Sequence, residues 1–577
     1  MRILFLTHAF NSLSQRLFVE LQQLGHEVSI EFDVNDIVSL EAVELFQPDL
    51  IIAPFLKRAI DEKIWKNHTC LIVHPGIVGD RGPSALDWAI INQESQWGVT
   101  VLQANEEMDA GDIWASMEFP MRQASKASIY RNEVSEAAYD AIKLAIQNFS
   151  NSAFKPTPLA NYKHAKGQLR PLITQTDRQI NWQQDNSQRV LAKIHSADGF
   201  PGIKETLLGR EVFLYNAHLA HLSEQPDNIA PGQIIAYTDS AICCTTVDGA
   251  IWIGHLRDKN SEHPFKLPAA QVLESELKQT DSVYLAAEHP DAFQEIYYEQ
   301  EGEVGYLYFS FYNGAMSTRQ CQQLLAAYKE AKQQDTKIIV LMGGNDFWSN
   351  GMHLNQIEAA ESAADESWEN INAIDDLALE IINTTSHITI SALQANAGAG
   401  GVFLARAADE VWAHRSVILN PHYKDMGNLY GSEYWSYLLP RYVGEENVTQ
   451  ITQGRLPMGA EEALSLGLVN LVFDHERDEF IDEVKAKAST TAKLAIFNEW
   501  LNIKNARRKT DERIKPLAEY RQQELEKMRL NFYGFDPSYH VARYNFVYKI
   551  PKSRTPLTLA KHRRTSDPVK TAGSLAS

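Results

Sequence analysis

The chain has 577 residues, more than one hydrophobic core normally supports, and two or three domains are expected. Its content of 44% hydrophobic and 22% charged residues is typical of a globular protein. A formal net charge of −20 argues against nonspecific binding to nucleic acid, because phosphate contacts need clustered Lys and Arg.

The sequence contains no sign of a membrane or metal protein. No apolar run approaches the roughly 20 residues that a membrane helix needs, and residues 1–6 enter a predicted strand without a signal-peptide pattern. A cytoplasmic protein with no membrane partner is therefore expected. The four cysteines form no C-x-x-C pair, so neither a metal site nor a disulfide scaffold is predicted.

In residues 1–154, predicted strands alternate with helices, which implies a mostly parallel sheet. A predicted strand over 70–73 ends at His74-Pro75-Gly76, where a helix cannot continue. It carries His74 to the carboxyl edge of the sheet, where ligands bind in open α/β folds. A second strand, over 98–103, leads into an acidic turn that contains Asp109. The two side chains are suited to general acid–base chemistry, and a purely structural, hydrogen-bonded His74 is the alternative.

Several separated motifs in this half occur in a recognisable order. They are His74-Pro75-Gly76, Arg81-Gly82-Pro83-Ser84 before a helix over 85–91, Trp97-Gly98-Val99-Thr100, and Asp109-Ala110-Gly111-Asp112. The series resembles the signature of the folate-dependent formyltransferases, above all the methionyl-tRNA formyltransferases.

The resemblance implies a Rossmann-like domain over 1–154 that binds 10-formyltetrahydrofolate, with His74 and Asp109 at the formyl group and Ser84 and Val99 at the folate. An Asn of that family falls on Ile72. Because one lost donor to the formyl oxygen costs roughly a hundredfold to a thousandfold in rate, Ile72 argues against the usual amine transfer more than against folate binding.

Residues 155–285 have a different sequence pattern, with short predicted strands separated by Gly, Pro and Asp. This pattern predicts a small barrel. This segment resembles the OB-like C-terminal domain of methionyl-tRNA formyltransferases. His218 and His221 are three residues apart on a predicted strand and face opposite sides, so no metal site is predicted there.

A third domain is predicted over 300–550. A strand over 337–342 is followed by a polar glycine turn over 343–354, and a strand over 387–395 by a second turn over 396–401. Turns at helix N-termini present backbone N–H groups, so the pair could supply two donors to one oxyanion. The alternative, a dinucleotide-binding loop at Gly398–Gly401, lacks the full glycine spacing and the acidic residue that such a loop needs.

Together with residues 439–444, 459–463 and 467–470, these turns resemble the crotonase family of enoyl-CoA hydratases and isomerases. The resemblance implies a crotonase-like α/β domain that binds a CoA thioester, with Met352 and Gly400 giving the two N–H groups and Gly351 and Gly401 lining the site. Arg319, near the start of its predicted helix, is the candidate for a CoA phosphate.

The two hydratase glutamates fall on Phe403 and about His422, so water addition is not expected. Tyr423 and Glu433, in a stretch rich in polar and aromatic residues, are the candidate replacement acid and base. A buried hydroxyl and a surface carboxylate are the alternatives. A charged helix is predicted over 510–530, and the basic, Ser-, Thr- and Pro-rich residues 551–577 predict a disordered tail.

The order of all these parts resembles the HypX/HoxX family of maturation factors for nickel–iron hydrogenases. The resemblance implies that formyl passes from 10-formyltetrahydrofolate to CoA, with His74 and Asp109 moving the proton, and that formyl-CoA then loses CO with Glu433 as base and Tyr423 as donor. Hydrogenase maturation proteins are then possible partners. The alternatives are an amine formyltransferase, a formyl-CoA or formyl-folate hydrolase, and a non-catalytic scaffold that binds folate and CoA.

Overall fold

The computed structural model describes residues 1–163, 165–223 and 229–564. No helix in these ranges is long and apolar enough to cross a membrane. Within the same ranges, His, Cys, Asp and Glu form no group of three or more that could hold a metal ion.

The first domain is built on a six-stranded sheet in the order β2-β1-β3-β4-β5-β6. Strands β1 to β4 are parallel, as predicted, whereas β5 and β6 are antiparallel. Its elements are β1 Arg2–Thr7, α1 Ser12–Gln23, β2 Glu27–Phe32, α2 Asp36–Phe46, β3 Leu50–Ala53, α3 Glu62–Trp65, β4 Cys70–His74, α4 Ala85–Ile91, β5 Gln96–Gln103, β6 Ile113–Pro120, α5 Lys126–Arg131 and α6 Glu133–Ser150. Because the inner strands are apolar on both faces, the sheet is buried between helices and exposes its strand ends.

The second domain contains a seven-stranded, mainly antiparallel sheet. The strand order is β13-β9-β10-β11-β8-β7, with β12 paired to β11, and the predicted closure into an OB-like barrel stays a prediction. Its elements are α7 Gln175–Arg178, α8 Ser187–Ala197, β7 Ile203–Leu207, β8 Arg210–Leu219, β9 Ile234–Tyr237, β10 Ile242–Thr245, β11 Ala250–Arg257, β12 Leu267–Pro268, α9 Ala269–Val272, α10 Glu274–Leu277 and β13 Val283–Tyr284.

The third domain has a six-stranded sheet in the order β14-β15-β16-β17-β19-β22, parallel except at β14, and a small sheet in the order β18-β20-β21. Its strands are β14 Ile296–Glu301, β15 Val304–Phe309, β16 Ile338–Gly343, β17 Ile388–Leu393, β18 Ala397–Gly398, β19 Glu410–His414, β20 Ile418–Asn420, β21 Met458–Gly459 and β22 Leu471–Phe473. Its helices are α11 Thr318–Ala331, α12 Leu354–Ala359, α13 Ala363–Ile382, α14 Gly400–Arg406, α15 Trp435–Val443, α16 Glu445–Gln453, α17 Ala460–Leu466, α18 Phe480–Ala492, α19 Phe497–Ile514, α20 Leu517–Tyr533 and α21 Ser538–Val547.

The helix predicted over 510–530 is in fact two helices. Helix α19 ends at Ile514 and α20 begins at Leu517, because Pro516 lacks an N–H group and cannot continue a helix. The break lets α20 turn and bury Glu524, Met528 and Phe532 against the third domain.

The first and third domains are in direct contact through α1 and the small sheet. Ile418 packs with the apolar core of the first domain, and the Nδ2 of Asn420 donates to the Oε1 of Gln15 at 3.1 Å. Arg415 pairs with Glu136 of α6 at 2.8 Å. The first and third domains are therefore joined by apolar, polar and charged contacts.

Residues 551–564 are ordered, whereas the sequence predicted a disordered tail from residue 551 onwards. This ordered segment is called the strap. Leu559 is buried in the first-domain core, and its carbonyl accepts from Ile30 N–H on the edge strand β2. The side chain of His562 lies 2.8 Å from Glu31, and both groups are buried. The composition of this segment predicted disorder because the order of the strap has no local origin. The strap is held by contacts with residues more than 500 positions earlier in the chain. Residues 565–577 of the predicted tail lie outside the described residues.

Candidate functional site

His74 is the last residue of β4 and lies between two carboxylates. Its Nε2 is 3.3 Å from the Oδ1 of Asp80, and its Nδ1 is 3.6 Å from the Oδ2 of Asp109. Asp109 has a positive φ of 55° and its carboxylate accepts the N–H of Gly82 at 3.2 Å. The structure thus brings together His74 and Asp109, the pair expected from the sequence.

Asp80 and Arg170 were not identified from the sequence. The Arg170 guanidinium donates to the buried Asp80 carboxylate at 2.8 Å and lies over the Trp97 ring. Arg170 comes from the connection to the second domain, which lies against the turn over 78–82 through backbone hydrogen bonds. The charged pair Asp80-Arg81 inside a glycine turn could have identified Asp80 as a candidate site residue, whereas the sequence around Arg170 gives no such indication.

The other residues predicted for the folate pocket have mixed surroundings. Ser84 is buried and its hydroxyl accepts the N–H of Ile173 at 3.2 Å, so it fixes the connection between the domains. The Val99 side chain is fully buried in the core and presents no surface to a ligand. Ile72, at the Asn position of the family, is half-buried and places an apolar group on β4.

The second site is formed by the two glycine turns, which the structure brings together. A Cβ atom on Gly351 would lie 3.3 Å from the backbone nitrogen of Gly400, and Gly351 has a φ of 72°. Gly401 is packed as tightly, since its Cβ would lie 2.1 Å from the Ser349 carbonyl oxygen. In the part of the chain that the structure describes, the N–H groups of Met352 and Gly400 donate to no acceptor. Two free N–H groups on abutting turns are the arrangement that binds a carbonyl oxygen as it gains charge.

Glu433 lies beside the second of these turns. Its Oε2 accepts from the hydroxyl of Tyr423 at 2.5 Å and from the Ser432 N–H at 3.1 Å. Its Oε1 faces Gly400, where a Cβ would lie only 2.0 Å from it. Burial, followed by the negative charge of Asp375, raises the pKa of Glu433 to about 8. The structure thus brings the predicted pair to the predicted N–H group.

Tyr423 is held with its ring stacked on Phe403, at 5.3 Å between ring centroids. Phe403 occupies the position of a hydratase glutamate, so an aromatic contact stands where a second carboxylate would be. Burial, and then the Glu433 charge, raise the pKa of Tyr423 well above its ordinary value. The phenol therefore stays protonated and donates to Glu433.

Asp375 on α13 and Glu524 on α20 were also not identified from the sequence. Asp375 accepts the N–H of Glu433 at 2.8 Å, and Glu524 accepts the N–H of Tyr434 at 3.0 Å. Both carboxyl groups are buried. Their helices show no local sign of this role, because each acidic residue resembles one more charge on a helix surface.

Arg319 lies near the N-terminus of α11, which begins after a capping box at Ser317. Its guanidinium is paired with Asp239 of the second domain at 2.8 Å. In the structure this cation therefore joins two domains, and the contact with a CoA phosphate stays a prediction.

Three protein families match the chain in the order that the sites suggest. Residues 33–146 match the family described as "Formyl transferase", 172–266 "Formyl transferase, C-terminal domain", and 311–535 "Enoyl-CoA hydratase/isomerase". A methionyl-tRNA formyltransferase from Halalkalibacterium halodurans is 24% identical over 222 residues, which cover 37% of this chain and 67% of the relative.

Full-length relatives are more similar. The hydrogenase maturation factor HoxX of Bradyrhizobium diazoefficiens is 52% identical over 577 residues, which cover 100% of both chains. The crystal structure of HypX from Aquifex aeolicus in complex with tetrahydrofolic acid is 48% identical, covers 98% of this chain and 99% of that chain, and has a TM-score of 0.93. The predicted fold class and resemblance are confirmed, and the chain belongs to the HypX/HoxX family of hydrogenase maturation factors.

Proposed function

We propose that this protein makes CO for the active site of a nickel–iron hydrogenase in two half-reactions. The first half-reaction transfers formyl from 10-formyltetrahydrofolate to the thiol of CoA. The second splits formyl-CoA into CO and CoA. Folate as a ligand is supported by the relative solved with tetrahydrofolic acid, and CoA is supported by the match to the enoyl-CoA hydratase/isomerase family.

The first half-reaction is assigned to the His74 site. The CoA sulfur attacks the formyl carbon, the bond from that carbon to the folate nitrogen breaks, and the thiol proton ends on that nitrogen. His74 moves the proton, and Asp109, 3.6 Å from its Nδ1, orients the ring. The thiol acceptor is supported by Ile72, since the apolar side chain removes a donor that amine-transferring relatives use.

The second half-reaction is assigned to Glu433. This carboxylate takes the proton from the formyl carbon, the carbon–sulfur bond breaks, and the same proton is delivered to sulfur, so the products are CO and CoA thiol. Tyr423 donates to the Oε2 of Glu433 and directs the proton transfer to Oε1. The N–H groups of Met352 and Gly400 stabilise negative charge on the formyl oxygen.

One observation carries the second assignment. The Oε1 of Glu433 faces Gly400, whose N–H lies at the abutting turns and has no acceptor in the described part of the chain. A carbonyl bound there would place its carbon next to a carboxylate whose pKa is raised to about 8, which is close to the value that suits a general base near neutral pH. A hydratase needs two glutamates to activate water. Phe403 stands at the position of one of them, so this site does not have the hydratase arrangement.

The proposal is tested by incubating the full-length protein with 10-formyltetrahydrofolate and CoA and measuring tetrahydrofolate, CO and formate. CO release that needs both substrates supports the proposal. Formate without CO would instead identify a hydrolase, a formylated amine would identify an amine formyltransferase, and unchanged substrates would identify a scaffold.

Variants separate the two sites. Tyr423→Phe and Glu433→Gln should abolish CO release while tetrahydrofolate and formyl-CoA still form. Tyr430→Phe removes a hydroxyl from a neighbouring, half-buried tyrosine and serves as the matched control. Undiminished CO release by the Tyr423→Phe and Glu433→Gln variants would overturn the assignment of the second site.

A further inference from the structure

The backbone that carries Glu433 is in an unusual conformation. Glu433 and Tyr434 both have positive φ values, 58° and 59°, immediately before α15. Residues with a Cβ rarely adopt this region, and two in succession persist only where the surroundings hold them. The conformation turns the Glu433 carboxylate towards Gly400.

Two buried carboxyl groups, one on α13 and one on α20, hold this segment. The Oδ1 of Asp375 accepts the N–H of Glu433 at 2.8 Å. The Oε2 of Glu524 accepts the N–H of Tyr434 at 3.0 Å, and its Oε1 accepts the N–H of Ser436 at 2.8 Å. Carboxylate acceptors give stronger bonds to N–H groups than neutral acceptors do, so an ionised Asp375 suits a strained backbone.

Ser432 connects the two supports. Its hydroxyl donates to the Oδ2 of Asp375 at 2.8 Å, and the same oxygen lies 3.3 Å from the Oε2 of Glu524. A serine hydroxyl has one proton, so the two carboxyl groups share one donor, and Asp375 is the nearer acceptor. Burial, and then the charge of Asp375, raise the pKa of Glu524 to about 8, which favours the protonated form of this carboxyl group near neutral pH.

We propose that Asp375 and Glu524 are positioning residues of the second site, which hold the left-handed segment of Glu433 and keep a negative charge beside it. This inference rests on the proposed function of Glu433 as the base that removes the formyl proton. Neither residue touches the substrate. Helix α20, which supplies Glu524, is thereby part of the site.

The charge on Asp375 has a measurable consequence for Glu433. The ionisable groups around Glu433 are Cys321 on α11, Asp375 and Asp376 on α13, Tyr423 and Tyr434 on its own segment, and Arg521 and Glu524 on α20. After burial, the negative charge of Asp375 is the largest cause that raises the pKa of Glu433. Replacing it with a neutral amide should lower that pKa.

The experiment measures kcat and KM for CO release from supplied formyl-CoA as a function of pH, for wild type and for Asp375→Asn, Glu524→Gln and Glu524→Ala. Because the base must be ionised, activity rises with pH through its pKa. Asp375→Asn should lower kcat at least tenfold with KM within twofold, and move the rising limb to lower pH. Glu524→Ala should lower kcat more than Glu524→Gln, which keeps an acceptor oxygen.

The matched control is Glu519→Gln, which changes an exposed acidic residue on the outer face of α20. Formyl transfer to CoA at the His74 site should stay at the wild-type rate in all variants. An unshifted pH profile with unchanged kcat, or an equal loss in both half-reactions, would overturn the positioning role.

A second readout is independent of CO release. Infrared difference spectra of wild type against Asp375→Asn, recorded across the pH range, follow the band of protonated carboxyl groups. The midpoint assigned to Glu433, by its loss in Glu433→Gln, should fall in Asp375→Asn. If wild type makes no CO but the Glu433 midpoint falls in Asp375→Asn, the proposed function fails and the positioning inference holds. If the Glu433 midpoint does not move in Asp375→Asn, the positioning inference alone is overturned.

Discussion

Gly400 and Glu433 approach so closely that a Cβ atom on Gly400 would lie 2.0 Å from the Glu433 Oε1. The two residues come from different elements, a glycine turn before α14 and the segment before α15. In the proposed function, the carbonyl and the base of the second site meet at this contact, and the contact allows a direct prediction.

Gly400→Ala should lower the rate of CO release from formyl-CoA by about a hundredfold or more. The added methyl displaces the carboxylate and disturbs the N–H donor, and removing one such donor alone costs about that much. CO is measured with supplied formyl-CoA, and tetrahydrofolate formation reports the first site. Gly302→Ala adds the same methyl group outside the site, in open space at a turn with a φ of 58°; it strains only its own backbone and should leave CO release unchanged. A normal CO rate in Gly400→Ala would show that this turn does not bind the thioester.

His74→Asn and Asp109→Asn should stop tetrahydrofolate formation and leave CO release from supplied formyl-CoA intact. His74 lies 3.6 Å from Asp109, and its ring is the proton carrier proposed for the transfer step. The two assays are run on the same preparation. His68→Asn changes a histidine that lies before β4 and makes no side-chain contact assigned to the site, and it provides the control. Loss of both reactions in His74→Asn would argue against two separate centres.

Asp80→Asn should destabilise the first domain by about 3 to 5 kcal/mol, the usual cost of breaking a buried ion pair from one side. Asp80 is fully buried and pairs with Arg170 at 2.8 Å. The measurement is the shift in urea-induced unfolding, followed by tryptophan fluorescence, to which Trp97 beneath the Arg170 guanidinium contributes. Asp112→Asn changes an exposed acidic residue in the loop between β5 and β6 of the same domain, and it should shift unfolding little. Equal shifts for the two variants would contradict the structural role of the pair.

Glu524→Gln should change how stability depends on pH. The pKa of Glu524 is raised from 4.5 to about 8 in the folded protein, first by burial. A raised folded pKa gives a stabilising contribution that is full below pH 4.5 and is lost as pH rises through about 8. The free energy of unfolding of Glu524→Gln relative to wild type should therefore increase between about pH 5 and about pH 8.5. Urea titrations at both pH values measure this difference in the free energy of unfolding. For the control Glu519→Gln, the difference from wild type should not depend on pH.

Thr555→Val should destabilise the attachment of the strap by about 1 to 3 kcal/mol, because a buried donor and acceptor lose their partner. The Thr555 hydroxyl oxygen accepts the N–H of Phe32 at 2.6 Å and the hydroxyl donates to Glu31. Hydrogen exchange of the Phe32 and Ile30 amides reports the loss. Thr558→Val, in the same strap, removes a hydroxyl that makes no such bond, and faster exchange in this control too would point to a general effect of valine.

Much of the fold followed from local patterns. The apolar strand that ends at His74, the capping box at Ser317 and the two glycine turns are each encoded within a dozen residues, so their positions were predictable. Tyr423 and Glu433 were predictable as candidates because they lie in one stretch rich in polar and aromatic residues. The chain also lacks the two hydratase glutamates at the corresponding positions, so a replacement acid and base was expected nearby.

What could not be predicted depends on long-range contacts. Arg170 meets Asp80 across 90 positions, and Glu524 meets Tyr434 across 90. A buried carboxylate on a helix carries no sequence mark that distinguishes it from a solvated one, since its partners lie on other elements. The break at Pro516 was visible, but it was outweighed by the charged helical pattern on both sides.

The strap over 551–564 has a practical consequence for any attempt to divide this enzyme. A fragment cut at the boundary between the second and third domains would leave strand β2 with an uncovered edge, inviting self-association. It would also remove His562 and Arg563, the two side chains of the strap that pair with Glu31 on β2. The formyltransferase-like half is therefore completed by the far end of the crotonase-like half, and the two proposed half-reactions are best studied in the intact polypeptide.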